Sequence, residues 1–137
     1  LLVAVAIAVF AISRSRKAAT ARTERERRAL DEADGLAGHL ASLVPERTQA
    51  VAAQDAPRLA ALAAELGDLA GHGTPDRQVA LGRVRGQVAA LHGVVDSLAM
   101  AVEQPSEAAI THLREQATAL HTTVAEVRAE LFPSPGA

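Results

Sequence analysis

The sequence predicts an all-α fold, an up-and-down antiparallel bundle of four helices whose first helix continues from an N-terminal transmembrane segment. Three observations carry this reading. Apolar residues recur at alternating spacings of three and four along four stretches, the mark of helices packed on helices. An unbroken apolar run fills residues 1–12 and stops at a cluster containing Arg14, Arg16 and Lys17. The 137 residues include two Phe and no Cys, Trp or Tyr, so any core is built from Leu, Val and Ala. No stretch keeps the period of two that a strand needs.

Residues 1–13 read as the transmembrane segment, 14–28 as a basic juxtamembrane helix, 29–132 as the bundle and 133–137 as a disordered tail. A spanning helix takes about 20 apolar residues, and a run of 10–14 is normally too short. The segment therefore reads as the inner half of a span, an interpretation favoured by a chain that opens on Leu. The alternative is a signal peptide, with Ala18-Ala19-Thr20-Ala21 as a weak cleavage site, although such peptides carry their positive charge ahead of the apolar core.

The first 30 residues hold seven basic and two acidic side chains, and the remaining 107 hold seven basic and fourteen acidic ones. Lys and Arg beside a span stay on the cytoplasmic side, which places the bundle in the cytoplasm, at the cell membrane. Arg14, Arg16 and Lys17 read as a topology signal and, in a sharper form, as a contact to anionic lipid headgroups.

The first seam runs Leu30, Ala33, Ala37, Leu40 and Val44, with Val51 in phase. The second is Leu59, Leu62, Leu66 and Leu69. The third is Leu81, Val84, Val88, Leu91, Val95, Leu98 and Val102, and the fourth Ile110, Leu113, Ala117, Leu120, Val124, Val127 and Leu131. Gly71-His72-Gly73-Thr74-Pro75-Asp76 ends one helix and restarts the next at Thr74 or Asp76. Gln104-Pro105-Ser106-Glu107 does the same with Pro105 or Ser106 near the first helical position. Asp55-Ala56-Pro57 has the form of an N-cap followed by an early proline, which puts the first interhelical turn near Asp55 and makes Pro45 a kink. Gly82 and Gly86, four apart on the third helix, suggest close backbone approach.

The chemistry-bearing residues form no catalytic pattern. Of five histidines, His39, His92, His112 and His121 fall on helices and His72 in the glycine loop. None has the i, i+4 partner of a helical metal pair, and there is no HExxH. His39 and His112 take outward positions, while His92 and His121 flank the core. Glu126 and Glu130 are spaced as metal ligands but lack the Glu-x-x-His companion of a di-iron bundle, so they read as a solvated face. No phosphate loop or nucleophile elbow is present. The acidic bundle disfavours nucleic acid, and no aromatic platform exists for stacking bases. The expectation is a protein with no catalytic activity, cofactor, metal or small-molecule substrate.

Several short motifs resemble the LemA family of bacterial membrane proteins. Leu43-Val44-Pro45 stands about where that family has a Leu-Ile-Pro element beyond its membrane segment, with Val51 at the position of a family valine. Pro105 precedes Leu113-Arg114-Glu115, and Val124-Ala125-Glu126-Val127-Arg128 follows at matching separation, ending near Phe132-Pro133. The Tyr-Asn, Trp and Asn-Phe elements of the family have no counterpart. The resemblance implies a membrane-anchored helical bundle and transfers no catalytic residue. The expected role is a scaffold or interaction module, partnered by the lipid bilayer and by a protein or a second copy through its helix faces. The alternative is a helical signalling element, either a sensor bundle or a phosphotransfer module using His112 or His92.

Overall fold

A computed structural model describes residues 2–101, 103 and 105–133 of the chain. It holds four α-helices, α1 (Leu2–Ala41), α2 (Thr48–Gly71), α3 (Pro75–Ala99) and α4 (Glu107–Leu131), and a 3-10 turn at Pro45–Arg47. There is no strand among the described residues. Consecutive helices pack on one another, and α4 closes the ring against α1. The most extensive seam is α2 on α3, and α1 lies more fully against α4 than against α2.

The four seams are buried where their spacing predicts, except at exposed Val44 and at half-buried Val51 and Leu131. Leu59, Leu66, Leu81, Leu91, Leu113 and Leu120 are fully enclosed, joined by Val84, Val88, Val95, Val124 and Val127. Thr74 caps α3 by accepting from the Arg77 amide, with Pro75 in the first turn, where it gives up no intrahelical bond. Ser106 caps α4 by accepting from the Ala109 amide at 3.2 Å. Val102 and residues 134–137, the bulk of the expected tail, lie outside the described residues.

The first turn is not where the sequence reading puts it. α1 stops at Ala41, and the chain turns through Ser42–Val44 into the Pro45–Arg47 turn, so Pro45 is the corner and not a kink. Val44 is extended (φ −91°, ψ 149°), the conformation that a following proline imposes, and this ends the helix. Leu43, not Val44, takes the core position: Leu43 is buried and Val44 exposed. Asp55 is no N-cap, since α2 runs through it and through Pro57. Pro57 sits on the exposed face of α2, as does Ala53, whose carbonyl loses its intrahelical partner to the proline.

Gly82 and Gly86 also depart from expectation. A Cβ built at either meets nothing within 4 Å, so they are open positions on the outer face of α3. Close approach occurs instead at Gly73, where a Cβ would lie 3.1 Å from that of Arg77 and crowd the α2–α3 turn.

α1 is one uninterrupted helix of 40 residues, about 60 Å long at 1.5 Å per residue. Among its described side chains the first buried one is Glu26, and those of residues 16–22 are all exposed. No helix among the described residues is long and apolar enough to cross a membrane. The transmembrane segment expected at 1–13 therefore has no support as a span, and its described residues form the apolar start of α1.

Two stability measurements check this architecture by urea denaturation. Leu66→Ala, at a fully buried site, is expected to cost about 2–5 kcal/mol. Gly86→Ala and Gly82→Ala are each expected to stabilise by about 0.5–1 kcal/mol, because alanine lowers the entropy of the unfolded chain and has room in the fold. A loss of stability at either glycine would show that the outer face of α3 is packed against something.

Candidate functional site

The polar chemistry of the molecule gathers where α1 enters the bundle. At that pole lie the α2–α3 turn, the start of α3 and the end of α4. Glu26 occupies a seam position, four residues before Leu30, and is 1% exposed. Arg77, from the first turn of α3, donates a hydrogen bond to Glu26 Oε2, while Glu26 Oε1 has no partner. The same guanidinium lies 5.8 Å from the ring centre of Phe132, and Arg27 of α1 lies 4.7 Å from that ring. Two cations on one aromatic ring, with a buried carboxylate beside them, tie α1, α3 and the end of α4 together.

Arg25, one residue earlier, turns to α2. It donates to Glu65 Oε1 at 3.0 Å and to Asp68 Oδ2 at 2.9 Å. The hydrogen bond with Asp68, then that with Glu65, raises the Arg25 pKa above its usual value, so the guanidinium stays charged. A cleft of about 420 Å³ opens beside it, lined by Ala18, Ala21, Arg22, Arg25, Asp68 and His72, with Leu69 at its base.

A second buried carboxylate lies toward the far pole. Asp55 of α2 is fully buried and accepts from His39 Nδ1 at 2.9 Å, and Arg58 approaches its other oxygen at 3.7 Å. That oxygen, Oδ1, accepts no hydrogen bond. The far pole is closed by backbone capture. Arg114 of α4 donates to the Leu43 carbonyl at 2.8 Å, and the Gln49 amide reaches the Ala101 carbonyl. Two motifs behind the LemA resemblance, Leu43-Val44-Pro45 and Leu113-Arg114-Glu115, are thus in direct contact.

The residues singled out from sequence are placed as follows. Arg16 and Lys17 are exposed on the projecting part of α1 and make no ion pair among the described residues, while the side chain of Arg14 lies outside them. His39, expected to face outward, is half exposed yet bonded to buried Asp55. His121 is exposed and pairs with Asp34 of α1. His72 donates to the Asp68 carbonyl at 2.8 Å. His112 is exposed and borders an apolar groove of about 460 Å³ with Gly93, Val94 and Leu98, and His92 is half-buried. Glu126 and Glu130 are exposed as expected and together hold Arg83 of α3. Among the described residues no group of three or more His, Cys, Asp or Glu is placed to hold a metal ion.

Sequence reasoning missed both buried carboxylates. The signal for Glu26 is its seam phase, and for Asp55 the same, since Thr48, Ala52, Asp55 and Leu59 repeat at four, three and four. Removing one partner of a buried pair leaves an uncompensated charge. Arg77→Ala is therefore expected to destabilise the bundle by about 3 kcal/mol, and Glu26→Leu combined with Arg77→Met to restore most of the loss. His39→Ala is expected to cost about 1–3 kcal/mol by stranding Asp55. Denaturant midpoints of the single and double variants measure all of these, and an Arg77→Ala chain as stable as the parent would show the pair to be dispensable. No protein-family model matches this chain, and neither does any curated protein or solved structure.

Proposed function

We propose that this chain is a membrane-anchored scaffold or interaction module, LemA-like in its order of parts, that presents its bundle on the cytoplasmic face of the cell membrane. The carrying observation is α1. One uninterrupted helix begins in the apolar run, passes through an exposed basic stretch and ends as a core helix of the bundle. Among the described side chains of the apolar helix start, Val5, Ala6 and Ala8 are exposed. Burial in a bilayer removes that apolar area from water.

The orientation rests on charge. Exposed Arg16, Lys17, Arg22 and Arg28 flank the apolar start on one side, and basic residues at that position stay in the cytoplasm. The bundle offers a partner its outer helix faces.

Fractionation and a reporter fused to the C-terminus test this reading. The full chain is expected in the carbonate-resistant membrane fraction, with the reporter accessible only from the cytoplasm. Recovery in the soluble fraction overturns the anchor, and external labelling of the reporter overturns the orientation.

A further inference from the structure

The basic residues of α1 come in two sets of the same form. Arg14-Ser15-Arg16-Lys17 and Arg25-Glu26-Arg27-Arg28 are eleven residues apart, which on a helix of 3.6 residues per turn is about three turns and about 16 Å. Arg16 and Arg27 therefore share one face of α1, and Lys17 and Arg28 share another.

Three residues of the second set are taken up by the bundle. Arg25 binds Glu65 and Asp68, Glu26 binds Arg77, and Arg27 stacks on Phe132, while Arg28 is exposed. Of the first set, Arg16 and Lys17 are exposed and make no ion pair among the described residues, and the residues that follow, 18–21, are Ala or Thr with exposed side chains. The Thr20 hydroxyl donates back to the Arg16 carbonyl and leaves the guanidinium free.

Helix rise sets their depth. A bilayer of 40–45 Å with a hydrocarbon core of about 30 Å leaves a headgroup layer of about 5–8 Å on each side. With Ile12 at the edge of the core, Arg16 and Lys17 lie about 6–8 Å further along the axis, at phosphate level. Arg28 lies about 24 Å beyond the core edge, outside the layer. Arg16 and Lys17 also point about 100° apart, so they meet different lipids.

We infer that Arg16 and Lys17 form a headgroup-binding ring selective for anionic phospholipid over zwitterionic phospholipid. The inference rests on the membrane-anchor reading and adds to topology a preference for one lipid class. A nucleic acid is the poorer occupant, since the net negative charge of the chain beyond residue 30 repels it. A guanidinium and an ammonium on one short helical stretch match the phosphate of phosphatidylglycerol, which carries no compensating cation, better than that of phosphatidylcholine, which does.

The full chain is reconstituted in bilayers of phosphatidylcholine and phosphatidylglycerol, excised in polymer discs, and the lipid retained with it is quantified. With a bias of about fivefold per basic residue at an anionic surface, phosphatidylglycerol is expected at about twice its bulk fraction or more. The double variant Arg16→Gln/Lys17→Gln, altered only at exposed positions, is expected to return to the bulk ratio. Arg28→Gln, in the same phase as Lys17 but three turns further on, is expected to keep the enrichment. Bulk composition around the parent chain overturns the lipid preference while leaving the anchor intact. Equal loss in the Arg28 variant overturns the ring, and so does displacement of the enriched lipid by added duplex DNA. Failure to enter any bilayer overturns the anchor and this inference together.

Discussion

Every helix of this bundle buries one seam at alternating three and four spacing, and almost nothing aromatic is available to fill the space between seams. That constraint shapes the rest. The buried seams mix leucines such as Leu66, Leu91 and Leu120 with smaller Val88, Ala117 and Ala33. Small residues bring helices near one another, and the packing then depends on each helix holding its rotational phase. A seam of this kind alone excludes a phase error poorly, because neighbouring registers of similar apolar residues bury similar area.

The polar groups inside the seams answer that ambiguity. Glu26 and Asp55 stand where apolar residues would add more stability, and each leaves one carboxylate oxygen unbonded. Buried ion pairs rarely improve on well-packed hydrophobic residues, but they penalise any arrangement that parts them. Glu26 finds Arg77 only when α1 and α3 are in one register, and Asp55 finds His39 only when α1 and α2 are. The best-attested use of such groups is to fix register, as a polar residue does at one position of a coiled coil.

How much of this was legible in the chain follows from the range over which each signal acts. The seams of α3 and α4 and the caps at Thr74 and Ser106 are local patterns, and the structure reproduces them. Pro57 misled because Asp-x-Pro has the same form as a helix start, and only the tertiary fact that Ala53 and Pro57 face water makes a mid-helix proline acceptable. The open setting of Gly82 and Gly86 was within reach, since neither falls on the seam of Leu81, Val84 and Val88. The His39–Asp55 and His121–Asp34 pairs were not, because partners 16 and 87 residues apart meet only once the helices are assembled. The second basic set on α1 looked like one continuous charged run with the first, and only the bundle separates bonded from unbonded residues.

That separation bears on how α1 works. Arg25 is tied to α2, Glu26 to α3, Asp31 and Asp34 to α4, and His39 again to α2. The exposed pairs among these, those of Arg25, Asp31 and Asp34, add little to stability. Their number and directions do something else: rotating α1 about its axis breaks contacts to three helices at once. The phase of α1 inside the bundle is therefore fixed, and an unbroken helix carries that phase outward to Arg16 and Lys17. Whatever surface those two residues meet, the bundle meets it at a set angle. A change in how the apolar end is held would reach the core first at Glu26, where the helix enters and where the buried charge tolerates displacement least.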